Sequence, residues 1–274
     1  MAAFSSRQWI AIAGSVLIFV SLFFINRKAP PPEKADEFMP VLEQAKKQVP
    51  ADEQNAIDKM DNALVDAHGS DERIQILKKI ITKYDSLGAI IPGTYYTEKL
   101  AEFRSSADLW YKAADRYYNA SEAANQQTRG ILVLRASQCY ANSYKIDSTN
   151  LDTRVGMGKC LVEASSSPMQ GIAMINAVIK KDSNNLNAQL ALGQLSVQSG
   201  QLPKAIYRFR RVLQIDSTYT DAYLFLADVY EKSGNKPDAV GCLRKYSTFV
   251  TDKKIQEEVN TEIEKIKNDT ITNK

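Results

Sequence analysis

The sequence predicts an all-α fold, a solenoid of helical hairpins, on three observations. One phrase recurs at a helical-repeat spacing: Asp147-Ser148-Thr149-Asn150-Leu151, Asp182-Ser183-Asn184-Asn185-Leu186, and Asp216-Ser217-Thr218-Tyr219-Thr220, with the aspartates 35 and 34 residues apart. That period holds two short helices and two turns. Small residues then stand at a fixed offset, Gly158, Gly193 and Ala227, each eleven residues past its aspartate. Thirdly, no strand alternation and no Asn-Gly turn competes with the helical reading.

The rest of each unit follows in register. A proline follows each of these small residues at the next turn: Pro168, Pro203 and Pro237. A second small residue comes shortly after, Gly171, Ala205 or Ala239, and four residues later a bulky one, Ile175, Phe209 or Leu243. This set resembles the tetratricopeptide repeat (TPR) family, whose unit has small residues at its eighth and twentieth positions and a bulky one at its twenty-fourth. The likeness is strongest in Leu192-Gly193 and Gly200-Gln201-Leu202-Pro203-Lys204-Ala205. The first unit departs from it with an extra residue in Ser165-Ser166-Ser167-Pro168, and Gln189 and Ser196 stand where aromatics are usual. The resemblance implies a right-handed superhelix that binds other proteins.

At the start of the chain, Trp9 to Ile25 is an uncharged apolar run between Arg7 and Arg27-Lys28. As a helix at about 1.5 Å per residue it would span about 25 Å, the short end of what crosses a bilayer. An uncleaved anchor is preferred over a cleaved signal peptide, because the run ends in Phe23-Phe24-Ile25-Asn26 and lacks a small-x-small site. This reading makes the membrane a partner through Trp9 to Ile25 and expects a single-pass membrane protein. In a bacterium the repeats would then lie in the periplasm or otherwise outside the cytoplasm. Flanking charges nearly balance and do not decide orientation.

Ala29-Pro30-Pro31-Pro32 reads as a stiff polyproline II spacer. Helices follow from Asp36. Ala51 to Ala67 closes at His68-Gly69, and Ser70 is the expected N-cap of a helix carrying Ile74, Leu77, Ile81 and Tyr84. Gly88 and Ile91-Pro92-Gly93 mark a break, after which Thr94 is expected to cap one long helix through Leu100, Phe103, Trp110, Ala114 and Tyr117. Its partner runs from Ile131 to Ile146 with Ala136 and Tyr140 inward. Past Val250 the period stops. Asp252 to Asn268 places Ile255, Val259, Ile263 and Ile266 on one stripe, suited to capping the open edge of a solenoid. The expected divisions are a tail and anchor over 1–28, a spacer over 29–35, a helical region with a degenerate repeat over 36–93, TPR-like repeats over 94–251, and a capping helix and tail over 252–274.

Composition narrows the function. A formal net charge of +3 over 274 residues argues against nucleic acid as a partner. The basic group Arg208, Arg210 and Arg211 surrounds core residue Phe209 and reads as a solvated face. Cys139, Cys160 and Cys242 sit beside core slots and form no C-x-x-C, which suits packing better than a metal. The single histidine, His68, lies at a helix end, and no phosphate loop, nucleophile elbow or metal-binding histidine pair occurs. Tyr95, Tyr96, Trp110, Tyr111, Tyr117 and Tyr118 read as core filling more readily than as a stacking platform. No catalytic residue, cofactor or metal is expected.

The expected function is a membrane-anchored TPR scaffold for other proteins, acting as an extracytoplasmic assembly or quality-control factor. Two alternatives are a cytosol-facing adaptor that recruits a soluble partner and, in another class, an enzyme or a regulatory subunit of one, with its site between Asp36 and Arg129. In the resemblance, first helices line a concave groove. The positions that would face it are Val155, Lys159 and Val162, then Leu190, Gln194 and Val197, then Leu224, Asp228 and Glu231. Their i, i+4, i+7 spacing independently sets each trio on one helical face. The family's carboxylate clamp wants Lys and Asn at two of these slots, where this chain has Val155, Leu190, Leu224 and Lys159, Gln194, Asp228. A clamp is therefore not expected. The expected occupant is an amphipathic or apolar segment.

Overall fold

The computed structural model describes residues 37–164 and 168–272. The chain divides into two compact units, Met1–Pro40 and Val41–Lys274. Among the described residues there are thirteen helices and no strand. After α1 (Phe38–Lys46) and α2 (Ala51–Asp66), five hairpins follow. They are α3 (Ser70–Ser86) with α4 (Ile90–Arg104), α5 (Ala107–Glu122) with α6 (Gln126–Ile146), α7 (Leu151–Ala164) with α8 (Pro168–Lys181), α9 (Leu186–Gln198) with α10 (Leu202–Ile215), and α11 (Asp221–Lys232) with α12 (Lys236–Ser247). Each packs on the next in chain order, and α13 (Lys253–Thr272) packs on α12. The predicted all-α, TPR-like solenoid is the observed architecture.

The recurring aspartates mark where one hairpin stops and the next begins. The backbone N–H groups of Asp147, Asp182 and Asp216 close the preceding helices on Ser143, Val178 and Val212 at 2.8–2.9 Å. Their carboxylates turn the chain: Asp147 and Asp216 each accept from the N–H and hydroxyl of a threonine two residues on, and Asp182 accepts from the Asn184 N–H. A side chain that hydrogen-bonds its own backbone two residues ahead makes such turns self-sufficient. Asn150 and Asn185 then accept from the N–H of Thr153 and Ala188, capping α7 and α9.

Within hairpins, three turns use glycine in the left-handed region: Gly88 at φ +66°, Gly200 at +71° and Gly234 at +77°. After each, the next N–H reaches back into the first helix, Ala89 to Tyr84, Gln201 to Ser196 and Asn235 to Tyr230, at 2.8–2.9 Å. Close helix approach does the rest. A Cβ on Gly193 would stand 2.6 Å from the Phe209 ring, and one on Gly171 would strike the Gly158 carbonyl and Val162. Tyr140 from α6 fills the space that a Cβ on Gly156 of α7 would need. The last core layer gathers Phe209, Leu226, Tyr230, Ala239 and Leu243, and α13 lays Val259, Ile263 and Ile266 on it.

Several expectations are corrected. The membrane localisation has no span to rest on, since among the described residues no helix is long and apolar enough to cross a membrane. The longest of these helices, α6 at 21 residues, carries Arg129, Arg135 and Lys145. The run from Trp9 to Ile25 and the spacer after it lie outside the described residues. The expected break at Gly88–Gly93 is the turn of a hairpin, with Pro92 and Gly93 inside the first turn of α4 and the Thr94 hydroxyl donating to Ile90 within the helix. The single long helix is two helices. It breaks at Ser105, at φ 47°, and Ser106 caps α5. Gly69, not Ser70, precedes α3, and Ile255 of α13 is exposed.

Overpacking a helix contact costs about 1 to 3 kcal/mol. Gly193→Leu should lose that much in a denaturant melt, whereas Gly200→Ala, whose cost is the left-handed backbone alone, should lose about 1 kcal/mol. A second expectation concerns acid. The Thr149 and Thr218 hydroxyls and N–H groups hold Asp147 and Asp216 below the ordinary 3.8. A depressed folded value means that the contribution is full above 3.8 and disappears as pH falls through the folded value. Melting temperature should therefore fall less steeply below pH 3.8 in D147N/D216N, whose amides still accept but do not titrate, than in the native chain.

Candidate functional site

The first helices α5, α7, α9 and α11 wall two adjoining hollows of about 320 and 330 Å³. Both include Glu122, Lys159, Ala191, Gln194 and Phe225, so together they form one groove. Three helices contribute by one rule. Tyr111, Asp115 and Tyr118 on α5 stand at the same i, i+4, i+7 spacing as Val155, Lys159 and Val162 on α7 and Leu190, Gln194 and Val197 on α9. In each trio the first residue reaches one hollow, the last reaches the other, and Lys159 and Gln194 reach both.

The expected groove residues are not all alike in this setting. Val155 and Leu190 line their hollow from the core side, at 2% and 8% exposure. Lys159, Val162, Gln194 and Val197 are half-buried on the wall, and exposed Asp228 pairs with Lys232 at 2.8 Å. Leu224 and Glu231 reach neither hollow. On α11 the lining stripe is Asp221, Phe225 and Asp228, three residues earlier than expected; half-buried Leu224 packs against the C-terminal core, as Phe225 also does. Phe225 in turn stacks on Phe209 with centroids 5.1 Å apart.

Lys159 is the central cation. Its ammonium lies 3.8 Å from the centroid of the Tyr118 ring, on the face that attracts positive charge. Burial holds it below the ordinary lysine range, against the opposing pull of Asp115, Glu122 and Glu163. Tyr118 and Tyr111 are pushed up, chiefly by burial.

Sequence reasoning missed the α5 wall and Asp152, Tyr219, Asp221 and Phe225. The signal for α5 was present, since Tyr111, Asp115 and Tyr118 carry the same spacing, but reading α4 and α5 as one helix hid the repeat that holds them. The arginine group is structural: Arg208 donates to Gln189 at 2.9 Å, Arg211 to Asn184 and Gln214, and Arg210 lies over Tyr230 at 5.6 Å. Gln189, standing in an aromatic slot, also donates to the Ser183 carbonyl at 2.8 Å. Burial pushes the Cys160 thiol up to about 12 and Cys242 to about 11, which leaves few thiolates for nucleophilic work. Among the described residues no His, Cys, Asp or Glu group is arranged to hold a metal. A larger hollow of about 510 Å³ near Val49, Gly88 and Asn125 has no charged side chain on its walls.

Fold and groove together define an all-helical solenoid of TPR-like hairpins. The family model for the TPR repeat matches residues 193–234, from the helix-contact glycine of α9 to the turn glycine before α12. A tetratricopeptide repeat protein from Parabacteroides merdae has a similar structure at 14% identity, over 93% of this chain and 94% of that one, with a TM-score of 0.56. A thermophilic TPR protein of Thermus thermophilus is similar at 13% identity over 70% and 98%, at 0.54. PilW, a type IV pilus biogenesis factor, is similar at 17% over 71% and 86%, at 0.51. No curated protein matches the sequence. The repeat model thus matches one stretch of the chain, and the solved structures share its fold.

Leu190→Asp puts a carboxylate against the core and should destabilise the chain by roughly 2 to 5 kcal/mol. Gln194→Glu, on the half-buried wall, should leave the melting temperature within a degree or two of native, about the effect of a surface change. Equal losses would place Gln194 in the core.

Proposed function

We propose that the chain is a scaffold that holds a segment of another protein along this groove. The observation that carries the reading is the repetition of one lining stripe on α5, α7 and α9, which gives a run of apolar and polar positions set by the solenoid itself. Val162, Leu195, Val197 and Phe225 supply half-buried apolar surface, and Lys159, Gln194 and Asp228 supply polar contacts beside it. A concave wall with convergent polar groups suits a peptide in helical or extended form. Val155 and Leu190 form the floor. Leu224 supports α11 from the core side and Glu231 lies beyond the hollows, so neither is assigned a contact.

Gln194 borders both hollows, and a larger side chain there fills the groove without entering the core. Peptides selected from a random library on the full-length chain should lose binding to Gln194→Trp while the melting temperature is kept. Selected peptides that bind native and Gln194→Trp chains alike would show that the contact surface lies elsewhere.

A further inference from the structure

We propose that the segment held in the groove is cationic, and that one of its Lys or Arg side chains enters the hollow between α5, α7, α9 and α11; this rests on the groove being the binding surface. The argument is one of charge and of wall chemistry together. The carboxylates of Asp115, Glu122, Asp152 and Asp221 line this hollow, and Lys159 is its one cationic side chain among the described residues. Neutral groups engage two of the four: Asn119 donates to Asp115 at 3.2 Å and Asn185 to Asp152 at 2.9 Å. The Lys159 ammonium, which lies against the Tyr118 ring and feels the pull of Asp115 and Glu122, balances at most one of these four carboxylates.

The walls between the carboxylates are aromatic. Tyr111, Tyr140, Tyr219 and Phe225 border the same hollow. Burial first, and then the charges of Asp115 and Asp152, hold the Tyr111 phenol up, and Tyr219 is raised in the same way by burial and then by Asp221, Asp115 and Glu122. Aromatic and carboxylate walls together favour an ammonium or guanidinium, by cation–π attraction and by charge-assisted hydrogen bonds. The adjoining hollow adds Glu163 and Asp228, the latter shared with Lys232, and one further cation, Arg129, so the excess of negative charge lies in the first hollow. An acidic occupant would meet like charge along this wall, a cost that selects against wrong partners.

The test is selection of a random peptide library on the full-length chain, with the selected peptides then measured on E122Q/D221N. Both positions are exposed, and neither Gln nor Asn there removes a core contact. The expected result is enrichment of Lys and Arg, binding weakened roughly tenfold in the double variant at an unchanged melting temperature, and a difference that shrinks as salt rises. Selected peptides that are neutral or acidic, yet lost in Gln194→Trp, would overturn the cationic assignment and leave the groove standing. Basic peptides that bind native, E122Q/D221N and Gln194→Trp chains alike, or no enrichment at all, would overturn the groove and the assignment with it.

Discussion

Everything in this solenoid depends on how closely the two helices of a hairpin, and the helices of neighbouring hairpins, can approach. Gly158 and Gly171 bring the α7 and α8 backbones together until a Cβ on Gly171 would strike the Gly158 carbonyl, and Gly193 leaves room for the Phe209 ring. Where a side chain bridges hairpins, the same trade appears: the Tyr140 ring of α6 takes the space that Gly156 of α7 leaves. A small residue opposite a bulky one lets interiors reach crystalline density in low-energy rotamers. Each unit presents one such face backward and one forward, so its burial depends on its neighbours. At the C-terminal end the requirement is met by Val259, Ile263 and Ile266 of α13, with the Lys and Glu positions of that helix turned to solvent.

This packing constraint was legible because it repeats. Gly158, Gly193 and Ala227 and their bulky partners sit at set intervals, and the aspartates between them serve the same two hydrogen-bonding tasks each time. The α3–α4 hairpin was not recognised, although Gly88 and Gly93 keep the five-residue interval of Gly200 and Ala205 and of Gly234 and Ala239. Two physical facts disguised it. Proline and glycine together read as a loop, yet Pro92 falls in the first turn of α4, where its missing N–H has no partner to lose, and buried Gly93 lies against Tyr84 and the Asp85–Arg116 pair. Aromatic bulk also replaces the usual small-and-bulky code: Tyr84 stacks on Tyr96 at 5.7 Å, and Tyr117 donates to Glu98, which pairs with Arg135 at 3.0 Å. Polar links of this kind have no period to read.

The groove was half legible for a related reason. Spacing identified a lining face on α7 and α9, because i, i+4, i+7 positions share a face whatever the residues are. It did not say how deep that face sits. Val155 and Leu190 fall on the core side, while Lys159 and Gln194, one turn on, remain on the wall. Nor did spacing give the rotation of α11. Position 228 belongs to both candidate stripes there, and spacing alone does not choose between half-buried Leu224, beside the C-terminal core, and exposed Asp221, which lines the hollow.

The two faces of each first helix therefore answer to different rules. Toward its partner helix, a first helix must present small residues at set positions, and substitution there disturbs the stack. Toward the groove it need only avoid disturbing the fold, so Tyr, Val and Leu stand at equivalent first positions on α5, α7 and α9, and Asp, Lys and Gln at the next. Charge can accumulate there at little cost to stability, because half-exposed carboxylates keep much of their hydration. Carboxylates from α5, α7 and α11 line one hollow because the solenoid superposes these faces, although they are far apart in sequence. A net charge of +3 for the whole chain gives no hint of that local sign. The groove's electrostatic character is a property of the fold, produced by stacking faces whose sequences look ordinary one at a time.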